Sequence, residues 1–212
     1  LEVGSYGVTL PEISPPEQVR EEMHAAVGKR LTVWFAYEPE IAPSELALYR
    51  DVLAENYTLC ATALDDPELR IERYDYAAFA CLDQPTDAPV LTFAEGIALE
   101  DVRWQVDSDM LRVAVGWNVG ENVPANTYSV SLKLWFADSA ETFAVQADYG
   151  LRTNGFGWQM AELPITDLPA GDYRLTATVY DWRLGPRLLA TDTAGTQGEE
   201  LAVAEISLPG ER

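Results

Sequence analysis

The sequence predicts an α+β protein. A small α/β layer unit is expected over residues 1–84, and an antiparallel β-sandwich of the immunoglobulin or fibronectin type over residues 85–212. Three observations carry this. Helical periodicity is confined to the first third of the chain, in Val19, Met23, Ala26 and Val27 and again in Leu46, Tyr49, Val52 and Leu53. The polar, proline-bearing stretch DQPTDAPV (Asp83–Val90) then marks a boundary. Beyond it, short segments of alternating polarity recur between turn clusters, as sandwich strands do.

The elements of the first unit follow in order. SYGVTLP, ending at Pro11, reads as a short strand. Ser14-Pro-Pro-Glu places a capping hydroxyl, Pro15 at the first helical position and Glu17 three residues on from Ser14, so a helix begins here and ends at Gly28. LTVWFAY (Leu31–Tyr37) is a nearly continuous apolar run, which predicts a strand covered on both faces. Pro39 and Pro43 punctuate a loop, and a second helix is expected over about Ser44–Glu55. YTLCATAL and LRIERYDYAAFACL are strand candidates on either side of the turn cluster Asp65-Asp66-Pro67.

In the second unit, strands are expected at about 97–106, 110–118, 127–137, 141–148, 157–163, 172–181, 186–191 and 201–207. Leu111, Val113, Val115 and Trp117 point one way; Tyr128, Val130, Leu132, Leu134 and Phe136 do the same, against Ser129, Ser131 and Lys133 outward. Tyr173, Leu175, Ala177 and Val179 form the inward set of a further strand, with Arg174, Thr176 and Thr178 between them. Its entrance, Leu168-Pro-Ala-Gly-Asp-Tyr173, is a folding device. Pro169 and Gly171 turn the chain in from the other sheet, and Tyr173 sits where a tyrosine corner bonds its hydroxyl to upstream backbone. Leu168, Pro169, Gly171 and Tyr173 are therefore structural.

Composition narrows the function. The chain carries 35 acidic against 14 basic residues, a net charge of −21. Such a surface repels phosphate backbones, which argues against nucleic acid as a partner. The acids lack the spacing of a calcium loop. His24 is the only histidine, on the flank of the first helix, so His-rich zinc sites are excluded and a serine triad would have to be built around this one position. Walker, dinucleotide and metalloprotease patterns are missing, and NGFGW (Asn154–Trp158) reads as a glycine-rich turn. No catalytic residue, metal ligand or cofactor is predicted.

Two features remain open at this level. Cys60 and Cys81 lie on the paired strand candidates, and their direct opposition needs a loop over about 65–71 or a bulge. An oxidising compartment favours a disulfide between them; a reducing one favours two buried thiols. Of the six tryptophans, Trp117 is core by parity, whereas Trp135 and Trp182 are outward candidates for stacking on a sugar ring, or for packing between units.

The order YSVSLKLWFADSAETFAVQADYGL, Trp158, LPITDLPAGDYRLTATVYDWRLGPRL and LAVAEISL resembles the C-terminal extracytoplasmic region of bacterial membrane glycosyltransferases of the GT-C class. These are polytopic proteins akin to protein mannosyltransferases and aminoarabinose transferases. The matching positions are Val145, Gln146, Asp148, Trp158, Leu168, Pro169, Gly171, Tyr173, Tyr180 and Asp181. In that class the sugar-transfer chemistry is attributed to loops of the membrane half, so no catalytic residue carries over. The resemblance implies a non-catalytic extracytoplasmic domain, tethered through transmembrane segments and partnered by the membrane half of its own chain. The alternative is a secreted or surface module that binds carbohydrate or protein. Full-length sequence discriminates them: a series of apolar spans of about 20 residues upstream of Leu1 fits the first, a signal peptide alone the second.

Overall fold

The structure, a computed structural model, describes residues 15–28, 30–124, 126–137, 143–151, 154–183 and 185–209. The strand expected in SYGVTLP and the Ser14 cap lie outside the described residues. The chain divides into two compact units, Leu1–Leu82 and Asp83–Arg212. It is an α+β protein whose second unit is an antiparallel β-sandwich.

The first unit comprises α1 (Pro16–Val27), β1 (Thr32–Tyr37), α2 (Pro43–Ala54), β2 (Tyr57–Asp65) and β3 (Arg70–Tyr76). Helix α1 starts one residue later than predicted. Pro15 precedes another proline and is held extended (φ −57°, ψ 145°), so Pro16 takes the first helical position. Helix α2 likewise begins on Pro43. Val19 and Met23 of α1 and Tyr49, Val52 and Leu53 of α2 close over Tyr57 and Tyr74 of the sheet. Burial of each such side chain contributes on the order of 2 kcal/mol.

The three strands form an antiparallel sheet in the order β1-β3-β2. Strand β1 is thus an edge strand. The expectation that it is covered on both faces is corrected: Tyr37 is buried and Val33 and Phe35 pack under the helices, but Trp34 is 52% exposed on the other side. The expected strand through AAFACL is also corrected. β3 ends at Tyr76, and Ala77–Phe79 form a 3-10 turn followed by Ala80 at φ +55°. That turn swings Cys81 back towards β2.

The second unit contains β4 (Leu91–Phe93), β5 (Ile97–Val106), β6 (Met110–Val119), β7 (Tyr128–Phe136), β8 (Phe143–Gly150), β9 (Gly155–Pro164), β10 (Gly171–Asp181), β11 (Ala190–Asp192), β12 (Gln197–Gly198) and β13 (Leu201–Leu208). One sheet has the order β13-β10-β7-β8 and the other β12-β11-β4-β5-β6-β9. The core between them is built from the predicted alternation, with Leu111, Val113, Val115 and Trp117 facing Val130, Leu132, Leu134, Tyr173, Leu175, Ala177 and Val179. Within it the Trp117 indole N–H donates to the Tyr149 hydroxyl at 3.3 Å, and burial holds the Tyr149 phenol well above its ordinary pKa.

Three further readings are corrected. Gly155–Trp158, expected as a turn, opens β9, where Gly157 pairs with Trp117. The strand expected at 186–191 is only the three residues of β11, because Arg187 still bridges to Tyr180 before the chain crosses to the other sheet. Finally, Ser131, Thr176 and Thr178, on the outer face of the four-stranded sheet, are buried.

At the entrance to β10 the Tyr173 hydroxyl donates to the Pro169 carbonyl at 2.7 Å, and Gly171 takes φ +149°, a conformation that side chains disfavour. Leu168 packs on the core beside them, its N–H bonded to the Ile165 carbonyl.

Candidate functional site

Strand pairing assembles one polar and aromatic cluster on the outer face of the four-stranded sheet. Trp135 of β7 lies directly across from Arg174 of β10, and Lys133 across from Thr176. Glu200 enters from the residue before β13. One carboxylate oxygen accepts the Trp135 indole N–H and the Thr176 hydroxyl, each at 2.7 Å; the other accepts the Lys133 ammonium at 2.7 Å. Arg187 approaches the same carboxylate at 3.9 Å. Burial pushes the Glu200 carboxyl up, but hydrogen bonds from Lys133, Thr176 and Trp135 outweigh it and hold the pKa below the usual range. Glu200 is therefore ionised at neutral pH and accepts three internal hydrogen bonds. It anchors the Trp135 indole.

The consequence is a fixed indole. Besides its bond to Glu200, Trp135 meets Phe143 of β8 edge-on at 5.7 Å, and the Lys133 ammonium lies 5.7 Å from its ring centre. Beside it opens a shallow groove of about 360 Å³, lined by Trp135, Arg174, Thr176, Glu200, Leu201 and Ala202. That volume falls at the small end of ligand pockets, about 300–1,000 Å³. A rigid aromatic and an arginine lining an open groove can recognise a small polar ring; they supply no nucleophile–base pair.

Trp182 is not part of this site. It follows Asp181, which pairs with Tyr128 at the far end of the same two strands, roughly 25 Å along at about 3.3 Å per residue. It is 59% exposed, with its indole N–H donated to the Asn126 carbonyl at 2.7 Å. His24 pairs with Glu55 at 3.1 Å on the surface of the first unit.

Among the described residues, the first unit holds two buried carboxylates, and both are engaged in internal bonds. Glu72 of β3 accepts the Tyr37 and Tyr74 hydroxyls at 2.9 and 2.8 Å and is capped by the Arg50 guanidinium from α2. Burial raises its pKa, and the hydrogen bonds from Arg50, Tyr74 and Tyr37 bring it below the ordinary value. Asp75 accepts the Thr32 hydroxyl and the Leu82 N–H, each at 2.8 Å, and pairs with Arg73 at 3.2 Å.

Cys60 and Cys81 are joined in a disulfide with Cα atoms 5.4 Å apart. The pairing register explains the contact. Leu59 opposes Tyr74 and Ala61 opposes Arg73, so Cys60 is the extra residue of a bulge. Cys81 meets it from the turn beyond β3, not from a facing strand position. Donor atoms of Cys60, Asp75 and Cys81 lie within 4.8 Å of one another, but the two sulfurs are bonded to each other and offer no thiolate.

No helix among the described residues is long and apolar enough to cross a membrane. No protein-family model matches the chain, and no curated protein sequence matches it.

Proposed function

We propose that this chain is a non-catalytic extracytoplasmic domain of a membrane glycosyltransferase-like protein, and that its sandwich holds a saccharide of the acceptor in the groove beside Trp135. The single observation that carries the binding role is the immobilised indole: Glu200, Thr176 and Phe143 hold Trp135 in one orientation at an open groove. A preorganised aromatic loses little conformational freedom on binding, which is how a small site gains affinity. The Cys60–Cys81 disulfide supports placement on the oxidising side of the membrane. The engagement of Glu72, Asp75 and Glu200 in internal bonds supports a non-catalytic role. The partner, in this reading, is the membrane-embedded half of the same polypeptide.

An array of immobilised glycans probed with the purified chain tests the binding role. Retention of at least one saccharide by the wild type and its loss in Trp135→Ala, with both proteins melting cooperatively, is the expected result. Failure of the wild type to retain any glycan, or equal retention by the variant, overturns it. Placement is tested by protease treatment of intact cells, which is expected to remove the domain; protection until lysis contradicts it.

A further inference from the structure

We propose that Arg174 makes the groove selective for a saccharide that carries a carboxylate; the inference rests on the reading that the groove beside Trp135 binds saccharide. In a chain with 35 acidic and 14 basic residues, cations are expected to be paired. Among the described residues they are, with one exception. Arg20 pairs with Glu55, Arg50 with Glu72, Arg70 with Asp65, Arg73 with Asp75, Arg103 with Asp101, Arg112 with Glu162, and Lys133 and Arg187 with Glu200. Arg183 pairs with Asp181, and Arg30 has a partner as well. The Arg174 side chain alone has neither ion pair nor hydrogen bond among them, although the residue lines the groove and is half-buried.

Its surroundings account for this. Glu200, the carboxylate that lines the groove, is already engaged by Lys133, Thr176 and Trp135. Glu205 lies directly across from Arg174 on β13, yet is exposed and makes no ion pair with it. The guanidinium thus keeps its forked donors at the groove, a geometry that matches a planar carboxylate in a bidentate pair. Trp135, its direct neighbour across β7–β10, supplies the apolar surface for the ring that bears the carboxylate.

A singly charged group suits the site better than a phosphate. Glu200 neutralises Lys133 at 2.7 Å, and Arg187, 3.9 Å from the same carboxylate, does not line the groove, so a dianion there would find one lining cation while facing Glu200 and Glu205.

The test is titration calorimetry at about 0.15 M salt, where exposed long-range charge effects are screened. The probes are a glucuronic-acid-terminated disaccharide and its glucose-terminated counterpart. Charge-assisted hydrogen bonds predict tighter binding of the acidic probe by about tenfold or more. Arg174→Gln is expected to abolish that preference, so that the two probes bind with equal affinity, whereas Trp135→Ala removes binding of both. Equal affinity of the wild type for the two probes overturns the role of Arg174 while leaving the saccharide reading intact. Absence of binding to either probe or to any glycan on the array defeats that reading, and this proposal with it. Tighter binding of a glucose-phosphate probe than of the uronic acid overturns the choice of carboxylate.

Discussion

The Tyr173 hydroxyl donates to the Pro169 carbonyl at 2.7 Å, and the ring that carries it is 1% exposed between Phe136 and the sandwich core. Ring burial and hydrogen bond together fix the point at which the chain enters β10, the strand between β13 and β7. Tyr173→Phe keeps the ring and removes the bond, leaving the Pro169 carbonyl without that donor. We expect a loss of about 1 kcal/mol, read as a lower midpoint in urea denaturation. An unchanged midpoint would mean that ring packing alone anchors the entrance.

Ser131 and Thr178 face each other directly across β7 and β10 on the outer face of the sheet. Both hydroxyls are buried and without a hydrogen-bond partner. A buried hydroxyl that gains nothing in return opposes folding. Thr178→Val exchanges it for a methyl of similar size and retains the β-branch that suits a strand. The variant is expected to be more stable by about 1 kcal/mol. A fall in thermal midpoint would show that the Thr178 hydroxyl is satisfied in solution.

These two neighbouring positions illustrate what a linear reading reaches. The inward face of β10 was legible because Tyr173, Leu175, Ala177 and Val179 repeat with the period of a pleat, and all four are buried. The outer residues alternate just as regularly, but alternation alone cannot say that Ser131, Thr176 and Thr178 are covered. Strand β11 was blurred for another reason. Its three residues are strand by virtue of pairing with Leu91–Phe93, far away in sequence, and not through any periodicity of their own. The apolar run of β1 suggested a strand covered on both faces, but Val33 and Phe35 face the core and Trp34 stands 52% exposed opposite them. Trp135 was identifiable as outward by parity. Arg174 was too, but the convergence of Arg174 and Glu200 on Trp135 was not, since it depends on registers across three strands and on contacts 65 and 39 residues apart. Only pairing could reveal that site.

The Cys60–Cys81 bridge spans a sequence separation of 21 residues and ties the bulge of β2 to the turn after β3. Closing a loop of that size removes unfolded-state entropy equivalent to about 3 kcal/mol. Cys60→Ser/Cys81→Ser is therefore expected to lower the stability of the first unit by about that amount while the sandwich melts as before. Thiol reagents are expected to label the wild type only after reduction, both as purified and when trapped by acid quench directly from cells. Labelling of the acid-quenched protein before reduction would place it in a reducing compartment and contradict the extracytoplasmic assignment.

The Arg50–Glu72 pair is expected to make the stability of the first unit depend on pH. Glu72 has only 3% of its side chain exposed, so removal of Arg50 leaves a buried carboxylate supported by two tyrosine hydroxyls alone. Breaking a buried pair from one side costs about 3–5 kcal/mol. Arg50 is itself 39% exposed, which places Arg50→Ala near the lower end. The sign with pH follows from the direction of the shift. Burial would raise the Glu72 pKa, but the hydrogen bonds from Arg50, Tyr74 and Tyr37 hold it below the unfolded value. The stabilisation is fully present above an unfolded pKa of about 4.3 and is lost as pH falls through the depressed folded value. The penalty of Arg50→Ala, measured as the difference in urea midpoint from wild type, is therefore expected to be largest at pH 7 and to shrink on acidification to pH 3. A penalty of the same size at both pH values would show that the arginine acts through the packing of its aliphatic stem, and that the Glu72 charge contributes nothing to holding α2 on the sheet.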